Sequence, residues 1–377
     1  MTANALREDA PAKRTVVLLF GGRSSEHGIS CVTAAGVLRA IDRAKFDVIP
    51  VGITQQGATV LMEESDLDEY RLDAAALPEV ADNGTRVLWP ASTATRLISV
   101  IDPSGRVREL GSADAVLPML HGPYGEDGTV QGMLDLVDLP YVGSGVLGSA
   151  LCMDKHAVKT VLADAGIAVA PWNTVTRSQL DADPALVSRL DADLTYPLFV
   201  KPARAGSSVG VSKVVAPAEL PAALEVAFAE DRTVLVESGV VGREVEIAVL
   251  EGRRDARPRT STVIGEIVIS GGGFYDFASK YLDGSGVRLD LPAEVSEAEF
   301  AALQRDAVLA FEIAQCAGLA RVDFFLTENG PVLNEINTLP GFTPISMYPR
   351  LWEASGLSYT ELITELIELA IERRPAY

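Results

Sequence analysis

The stretch RVDFFLTENGPVLNEIN (residues 321–337) ties down its own folding more tightly than any other in the chain. Two runs rich in apolar and aromatic residues flank a turn-forming Glu328-Asn329-Gly330, which reads as a β-hairpin. Side chains on a strand alternate faces, so a one-residue slip would exchange every face. A three-residue loop with Gly330 in the left-handed conformation puts Val322, Phe324, Leu326, Val332 and Ile336 on one apolar face. Asp323 then stands directly opposite Glu335 on the other face, with Asn337 one step along. A two-residue Asn-Gly turn scrambles both faces and is rejected.

A chain of 377 residues exceeds what one hydrophobic core serves, so two or three domains are expected. The opening RTVVLLFGGRSSEHGISCVTAAGVLRAI is a buried-type strand, a glycine-rich turn and a helix. FDVIPVGIT and ADAVLPML continue the alternation expected of an open parallel sheet. Residues 63–110 are weakly patterned. A helix over SALCMDKHAVKTVLADAG, stopped by Gly166, opens a second section of strands (YPLFVKP, VGVSKVV, TVLVES). The third runs from REVEIAVLEG to a terminal helix in SYTELITELIELAIERR. The expected division is a tail at 1–14, an N-terminal domain at 15–150, a central domain at 151–240 and a C-terminal domain at 241–377. A glycine-flanked loop at 270–286, long for a compact domain, reads as a lid.

Charge and cysteine usage exclude several classes. A formal charge of −20 argues against a nucleic-acid surface. Cys31, Cys152 and Cys316 are far apart in sequence and include no CxxC, so they read as reduced thiols rather than a disulfide or zinc framework. The polar start lacks the apolar core of a signal peptide and no apolar run reaches 18 residues, which suggests a cytoplasmic protein with no membrane partner.

Three glycine-rich motifs compete for attention. GSGVLG (residues 143–148) matches a dinucleotide fingerprint, but the next strand ends in WNTVT without the acid a ribose needs, so a structural turn is preferred. GSSVG (residues 206–210) matches a hydrolase elbow, but His27, His121 and His156 all precede Ser208 and a strand follows, so that reading fails. No GxxxxGK[ST] is present. Lysine is scarce, occurring only at positions 13, 45, 155, 159, 201, 213 and 280. Lys201 closes a strand just before the flexible ARAGSSVGVS, a pattern suited to an anionic oxygen. In the hairpin, two carboxylates and an amide converge without a neutralising base, which is costly unless a cation sits between them. Hard oxygen donors with room left for phosphates suit Mg²⁺.

Together these residues resemble the D-alanine–D-alanine ligases, an ATP-grasp family. The resemblance runs through GGRSSEHGIS, LHGPYGEDGTVQG, YVGSG, MDK, FVKPARAGSSVGVSKV, VESGVVGREVE, FYDFASKY, ARVDFF and NEINTLPGFTPISMYP, nearly everything from Gly21 to Pro349. It implies a mixed α/β (α+β) ATP-grasp fold, with an open parallel-sheet N-terminal domain followed by two ATP-grasp domains. ATP would lie beneath residues 206–210, touched by Ser207 and Ser208, its phosphates held by Lys155, Lys201 and Lys280. Glu237 and the backbone near Val240 would meet adenine, and Glu244 the ribose. Asp323, Glu335 and Asn337 would bind two Mg²⁺, with Mn²⁺ as a substitute. Glu26 would hold the ammonium of the first D-alanine beside His121, while Arg321 and the Gly341 N–H steady the oxyanion. Ser346 and Met347 would receive the second D-alanine, although many relatives have Leu at the latter position. A homodimer is the expected assembly.

Each role has a plainer rival: Glu26 as a helix cap, His121 as a core histidine, Gly341 as a turn glycine. Another carboxylate–amine ligase of the same fold, or a nucleotide sensor without turnover, are the alternatives for the whole chain. The resemblance also links Tyr281 through Ser207 to Glu26, with tyrosine here accompanying dipeptide synthesis and phenylalanine a D-lactate product. Tyr281→Phe is therefore expected to admit D-lactate and lower dipeptide synthesis when both acceptors compete across a pH series. An unchanged product ratio removes Tyr281 from specificity.

Overall fold

A strand buried on both faces needs neighbours on both edges and helices above and below. Arg14–Gly21 (β1) is such a strand, buried from Val16 to Gly21. The structure, a computed structural model, describes residues 12–73, 76–269 and 287–373. In it β1 pairs in parallel with Phe46–Ile53 (β2) and with Ala115–Met119 (β7), and Thr59–Leu61 (β3) closes the outer edge antiparallel to β2. The open parallel sheet read from the sequence is present. The turn after β1 enters the helix His27–Ala40 (α1). His27 is structural: its Nδ1–H donates to the Gly22 carbonyl at 2.6 Å and its Nε2 accepts from the Val80 N–H at 2.9 Å.

The weakly patterned residues 63–110 fold into a short helix, Glu64–Asp68 (α2), and a separate antiparallel sheet. Its strands are Arg86–Leu88 (β4), Leu97–Ile101 (β5) and Val107–Ser112 (β6). Only Val87, Ile98 and Val100 of these strands reach the core, which is too sparse a pattern to read.

Beyond β7 come Thr129–Asp135 (α3), Val146–Met153 (α4) and Lys155–Asp164 (α5). One helix was expected over residues 149–166, and two are found. Asp154 causes the break: its carboxylate caps α5 by accepting from the His156 and Ala157 N–H groups at 3.1 and 3.0 Å. An aspartate at this position stabilises a helix start in preference to continuing a helix. The cap sets Lys155 at the first position of α5.

The GSGVLG stretch is a structural turn, as preferred above. Gly145 caps α4, and a Cβ on Gly148 would stand 2.6 Å from the Gln315 carbonyl oxygen. Its glycines thus bring α4 against the C-terminal section. The same approach brings the Cys152 and Cys316 sulfurs to 3.8 Å, so two thiols 164 residues apart in sequence are neighbours in space.

The central section is a four-stranded antiparallel sheet in the order β10-β9-β11-β8, made of Ser212–Val214, Leu198–Pro202, Thr233–Ser238 and Trp172–Thr176. Arg177–Ala182 (α6) and Leu220–Phe228 (α7) accompany it, with the apolar side of α7 on the sheet. The C-terminal sheet has the order β15-β14-β12-β16-β17, with β13 beside β12. Its strands are Arg243–Leu250 (β12), Arg259–Thr260 (β13), Gly265–Ile269 (β14), Val287–Asp290 (β15), Leu319–Thr327 (β16) and Gly330–Asn337 (β17). The helix Glu297–Ile313 (α8) packs on one face.

The hairpin register is as read where it matters: Asp323 lies opposite Glu335, and Gly330 has φ +107°. The loop itself differs. Thr327 pairs with Gly330, so only Glu328 and Asn329 lie between paired residues, and the register shifts between Asp323 and Phe324. The extra residue sits at Asn334 in a bulge instead of in the loop. In consequence Leu333, not Val332, joins Phe324 in the core.

Met347–Ala354 (α9) and Tyr359–Glu372 (α10) close the chain. Leu362, Leu366 and Leu369 of α10 share a core with Val37 of α1 and Leu117 of β7, so the N- and C-terminal sections are built around common apolar residues. Gly148→Ala should strain the seam between them and cost about 1–3 kcal/mol, seen as a lowered urea midpoint. An unchanged midpoint would show that the turn at Gln315 yields freely.

Candidate active site

Two cavities meet behind the hairpin. One, of about 210 Å³, lies between the central and C-terminal sheets and is lined by Lys155, Lys159, Lys201, Glu237, Val240 and Glu244, among others. The second, of about 230 Å³, reaches the N-terminal section at Glu26 and His121 and the segment leading from β17 into α9 at Gly341, Ser346 and Met347. Their shared wall consists of Lys155, Ala205, Ser207, Glu246, Asn334 and Glu335.

In the first cavity Glu237 is the electrostatic centre. Sheet register places it between Trp172 and Phe199 on the neighbouring strands. Lys159 Nζ donates to Glu237 Oε2 at 2.5 Å and Lys201 Nζ to Oε1 at 2.8 Å. Burial alone would raise this carboxyl, but the two ammonium groups overcome that and hold it down at about 2. Lys155 donates to the Ala205 carbonyl at 2.6 Å, and burial lowers its pKa against the pull of Glu335. It thereby anchors the loop in which Ser207 and Ser208 have φ +50° and +59°. Side chains rarely adopt that conformation, and holding two in succession costs on the order of 1–3 kcal/mol each, a sign of a functional constraint.

In the second cavity the Ser207 hydroxyl donates to Glu26 Oε1 at 2.6 Å. Glu26 occupies the cap position of α1 but its side chain makes no cap bond, so the plainer reading of this residue does not hold. His121 is buried, its Nδ1–H donating to the Leu339 carbonyl at 3.1 Å. Its Nε2 has no hydrogen-bond partner among the described residues. Burial opposes charging this ring, but Glu126 and Glu26 prevail and raise its pKa. Ser346 Oγ sits 2.7 Å from Thr343 Oγ1, and Met347 packs against Gly265.

Where the cavities join, the sheet lines up three acids in one cross-strand row, Glu246, Asp323 and Glu335. The expectation that Asp323, Glu335 and Asn337 converge without a neutralising base is overturned. Arg321, two residues before Asp323 on the same strand face, forks it with Nε and Nη2 at 2.7 Å each. It also reaches Glu246 at 3.3 Å, and these charges keep the guanidinium's pKa raised despite its burial. Asn337 Nδ2 donates to Asp323 Oδ2 at 3.0 Å. Among the described residues no three His, Cys, Asp or Glu form a group able to hold a metal. The donor set still fits Mg²⁺: Asp323 and Glu335 are hard carboxylate donors side by side across the hairpin, Asn337 has a carbonyl to offer, and this ion takes one or two carboxylates and leaves the rest to phosphates and water.

The sequence reading missed Lys159, Glu246, Thr343 and Glu126. Two had a legible signal: Lys159 lies one helical turn beyond Lys155, and Glu246 shares a strand face with Glu244. Lys280 and Tyr281 lie outside the described residues, as does the lid expected at 270–286.

Three sections with a lysine-lined cavity between two sheets fit an ATP-grasp fold, and comparison with solved structures shows that fold. A D-Ala:D-Ser ligase from Enterococcus faecalis (VanG) matches with a TM-score of 0.80 at 35% identity, covering 95% of this chain and 100% of that one. The D-alanine-D-alanine ligase of Coxiella burnetii matches with a TM-score of 0.77 at 35% identity, covering 96% and 94%. Residues 15–144 match the N-terminal and residues 161–368 the C-terminal family model of D-ala D-ala ligases. A D-alanine–D-alanine ligase from Paenarthrobacter aurescens is 49% identical over 95% of each chain, and one from Kineococcus radiotolerans is 49% identical over 96% of this chain and 97% of its own. The chain belongs to the D-alanine–D-alanine ligase family.

Glu237 supplies a test of the electrostatics. Its folded value of about 2 lies below the ~4.3 of an unfolded glutamate, so its ion pairs stabilise fully above that pH and are lost as pH falls toward 2. Urea midpoints should fall more steeply through this window in wild type than in Glu237→Gln, and parallel profiles would deny Glu237 that role.

Proposed function

We propose that the chain joins two D-alanines into D-alanyl-D-alanine with ATP, making the dipeptide precursor of peptidoglycan. The observation that carries the reading is the shared wall: a lysine-lined cavity and an acid- and histidine-lined cavity meet at Lys155, Ser207 and Glu335. The division into sections at 15–150, 151–240 and 241–377 supplies the walls. Lys155, Lys201 and Lys280 hold the phosphates with the N–H groups of Ser207 and Ser208, while Glu237 and Val240 meet adenine and Glu244 the ribose. Asp323, Glu335 and Asn337 would hold two Mg²⁺, or Mn²⁺ in its place, which supply neutralisation of the transferring phosphoryl group.

Glu26 takes the ammonium of the first D-alanine, and the orphaned His121 Nε2 gains a partner beside it. The D-alanine carboxylate attacks the γ-phosphorus, the bond to the β–γ bridging oxygen breaks and ADP leaves, giving an acyl phosphate whose phosphate is a good leaving group. The ammonium of the second D-alanine, seated against Ser346 and Met347, gives up a proton to solvent water and the resulting amine attacks the carbonyl carbon. Arg321 has five N–H donors and spends two on Asp323, so it is placed to steady the oxyanion together with the Gly341 N–H. Phosphate then leaves.

A homodimer is supported by exposed apolar side chains at the end of α3 and on α4, where Leu136 is 80% and Leu147 56% exposed. No helix among the described residues is long and apolar enough to cross a membrane, and the ATP requirement fits the cytoplasm. The charge of −20 disfavours nucleic acid as a partner.

Phosphate release with ATP, Mg²⁺ and D-alanine, with L-alanine as the control, tests the reading, and D-serine and D-lactate added as competing acceptors test the second site. No release with D-alanine overturns it. Glu335→Gln should fold normally yet lose on the order of a hundredfold in kcat, because one charge leaves the metal site. Wild-type turnover in that variant would remove Glu335 from the ligand set.

A further inference from the structure

Seven lysines serve this chain, and two of them are spent on one carboxylate. The two are not equivalent. The Lys159 side chain is 3% exposed, whereas that of Lys201 is 14% exposed. Each ammonium also lies over the aromatic ring flanking Glu237 on its own side: Lys159 is 5.4 Å from the Trp172 ring centre and Lys201 5.8 Å from that of Phe199. Trp172 is itself fixed by donating from Nε1 to His156 Nδ1 at 3.0 Å, one helical turn from Lys159. Lys159 is therefore held on three sides, by Glu237, Trp172 and its helix, while Lys201 stands at the strand end nearer the opening.

A carboxylate this deeply buried cannot remain charged alone, since an uncompensated charge costs several kcal/mol. If Lys201 were its sole partner, moving Lys201 toward a phosphate would strand Glu237. With Lys159 in place the carboxylate keeps a counter-ion when Lys201 departs. We propose that Lys159 is a positioning residue: the resident counter-ion of Glu237, which frees Lys201 to exchange from that carboxylate to the phosphates of the bound nucleotide. This inference rests on the nucleotide occupying the lysine-lined cavity. It deepens that reading by giving the pocket a division of labour, one fixed lysine and one exchangeable.

The test is equilibrium binding of ATP, ADP and adenosine, with Mg²⁺, to the purified full chain. Lys159→Met should weaken ATP and ADP about tenfold or more, because Lys201 is then bound to Glu237 as its only partner, and should leave adenosine within about threefold. Lys159→Arg, which keeps the charge, should stay near wild type. In the Glu237→Gln background the carboxylate is gone, so Lys159→Met should have no further effect on ATP. That last comparison stands even if Lys159→Met alone fails to fold. Equal weakening of adenosine and ATP, or an undiminished effect of Lys159→Met beside Glu237→Gln, overturns the proposal. If wild type binds no ATP, the nucleotide reading fails instead, and the two failures are told apart.

Discussion

The fork from Arg321 to Asp323 is the contact on which the centre of the molecule depends. Sheet pairing fixes Glu246, Asp323 and Glu335 in one row, and three acids on adjacent strands repel at close range with little water to screen them. A guanidinium answers this better than an ammonium, since its planar fork of N–H groups matches a carboxylate bidentately and stays charged when buried. Because Arg321 and Asp323 are two residues apart, the hairpin carries its own counter-charge into place as it forms. The neighbouring strands then close on a row that is already partly neutral. The second concentration of charge, around Glu237, follows the same logic with lysines contributed from a helix and a strand end.

How much of this was legible depends on the range of the interaction. The opposition of Asp323 and Glu335 follows from a period of two and one turn, both local, so it could be read. The bulge at Asn334 could not. It is selected by packing that puts Leu333 rather than Val332 under Phe324, with the Leu333 N–H donating to the Ala168 carbonyl at 2.8 Å, a contact 165 residues distant in sequence. The neutralising role of Arg321 was within reach, because it shares a strand face with Asp323, but the sequence alone gave no reason to prefer it over solvent.

The same division holds elsewhere. The β1–α1 unit was plain because a doubly buried strand and a glycine turn are strong local signals. The β4–β6 sheet was invisible because its short strands bury few side chains and depend on the core of their neighbours for stability. Asp154 was read as part of a helix although its residue type favours a cap, and the resulting break is what aims Lys155 at the loop carrying Ser207. The motifs named the chemistry of the candidate site, while its electrostatic bookkeeping, above all the pairing of Lys159 with Glu237, emerged only once helix and sheet were set against each other.

The common core of α1, β7 and α10 bears on how the chain is made. A ribosome releases the N-terminal section before the C-terminal one, yet the residues that cover part of α1 and β7 belong to α10. Thr360 reaches back to the Ala40 carbonyl at 2.8 Å and Arg373 to that of Gly143 at 2.9 Å, so α10 and its C-cap are fastened to the N-terminal section. The nascent N-terminal section must wait with an apolar flank uncovered until α10 has been made, and the central section, whose core at Val200, Leu224 and Val236 is its own, is free to fold before it.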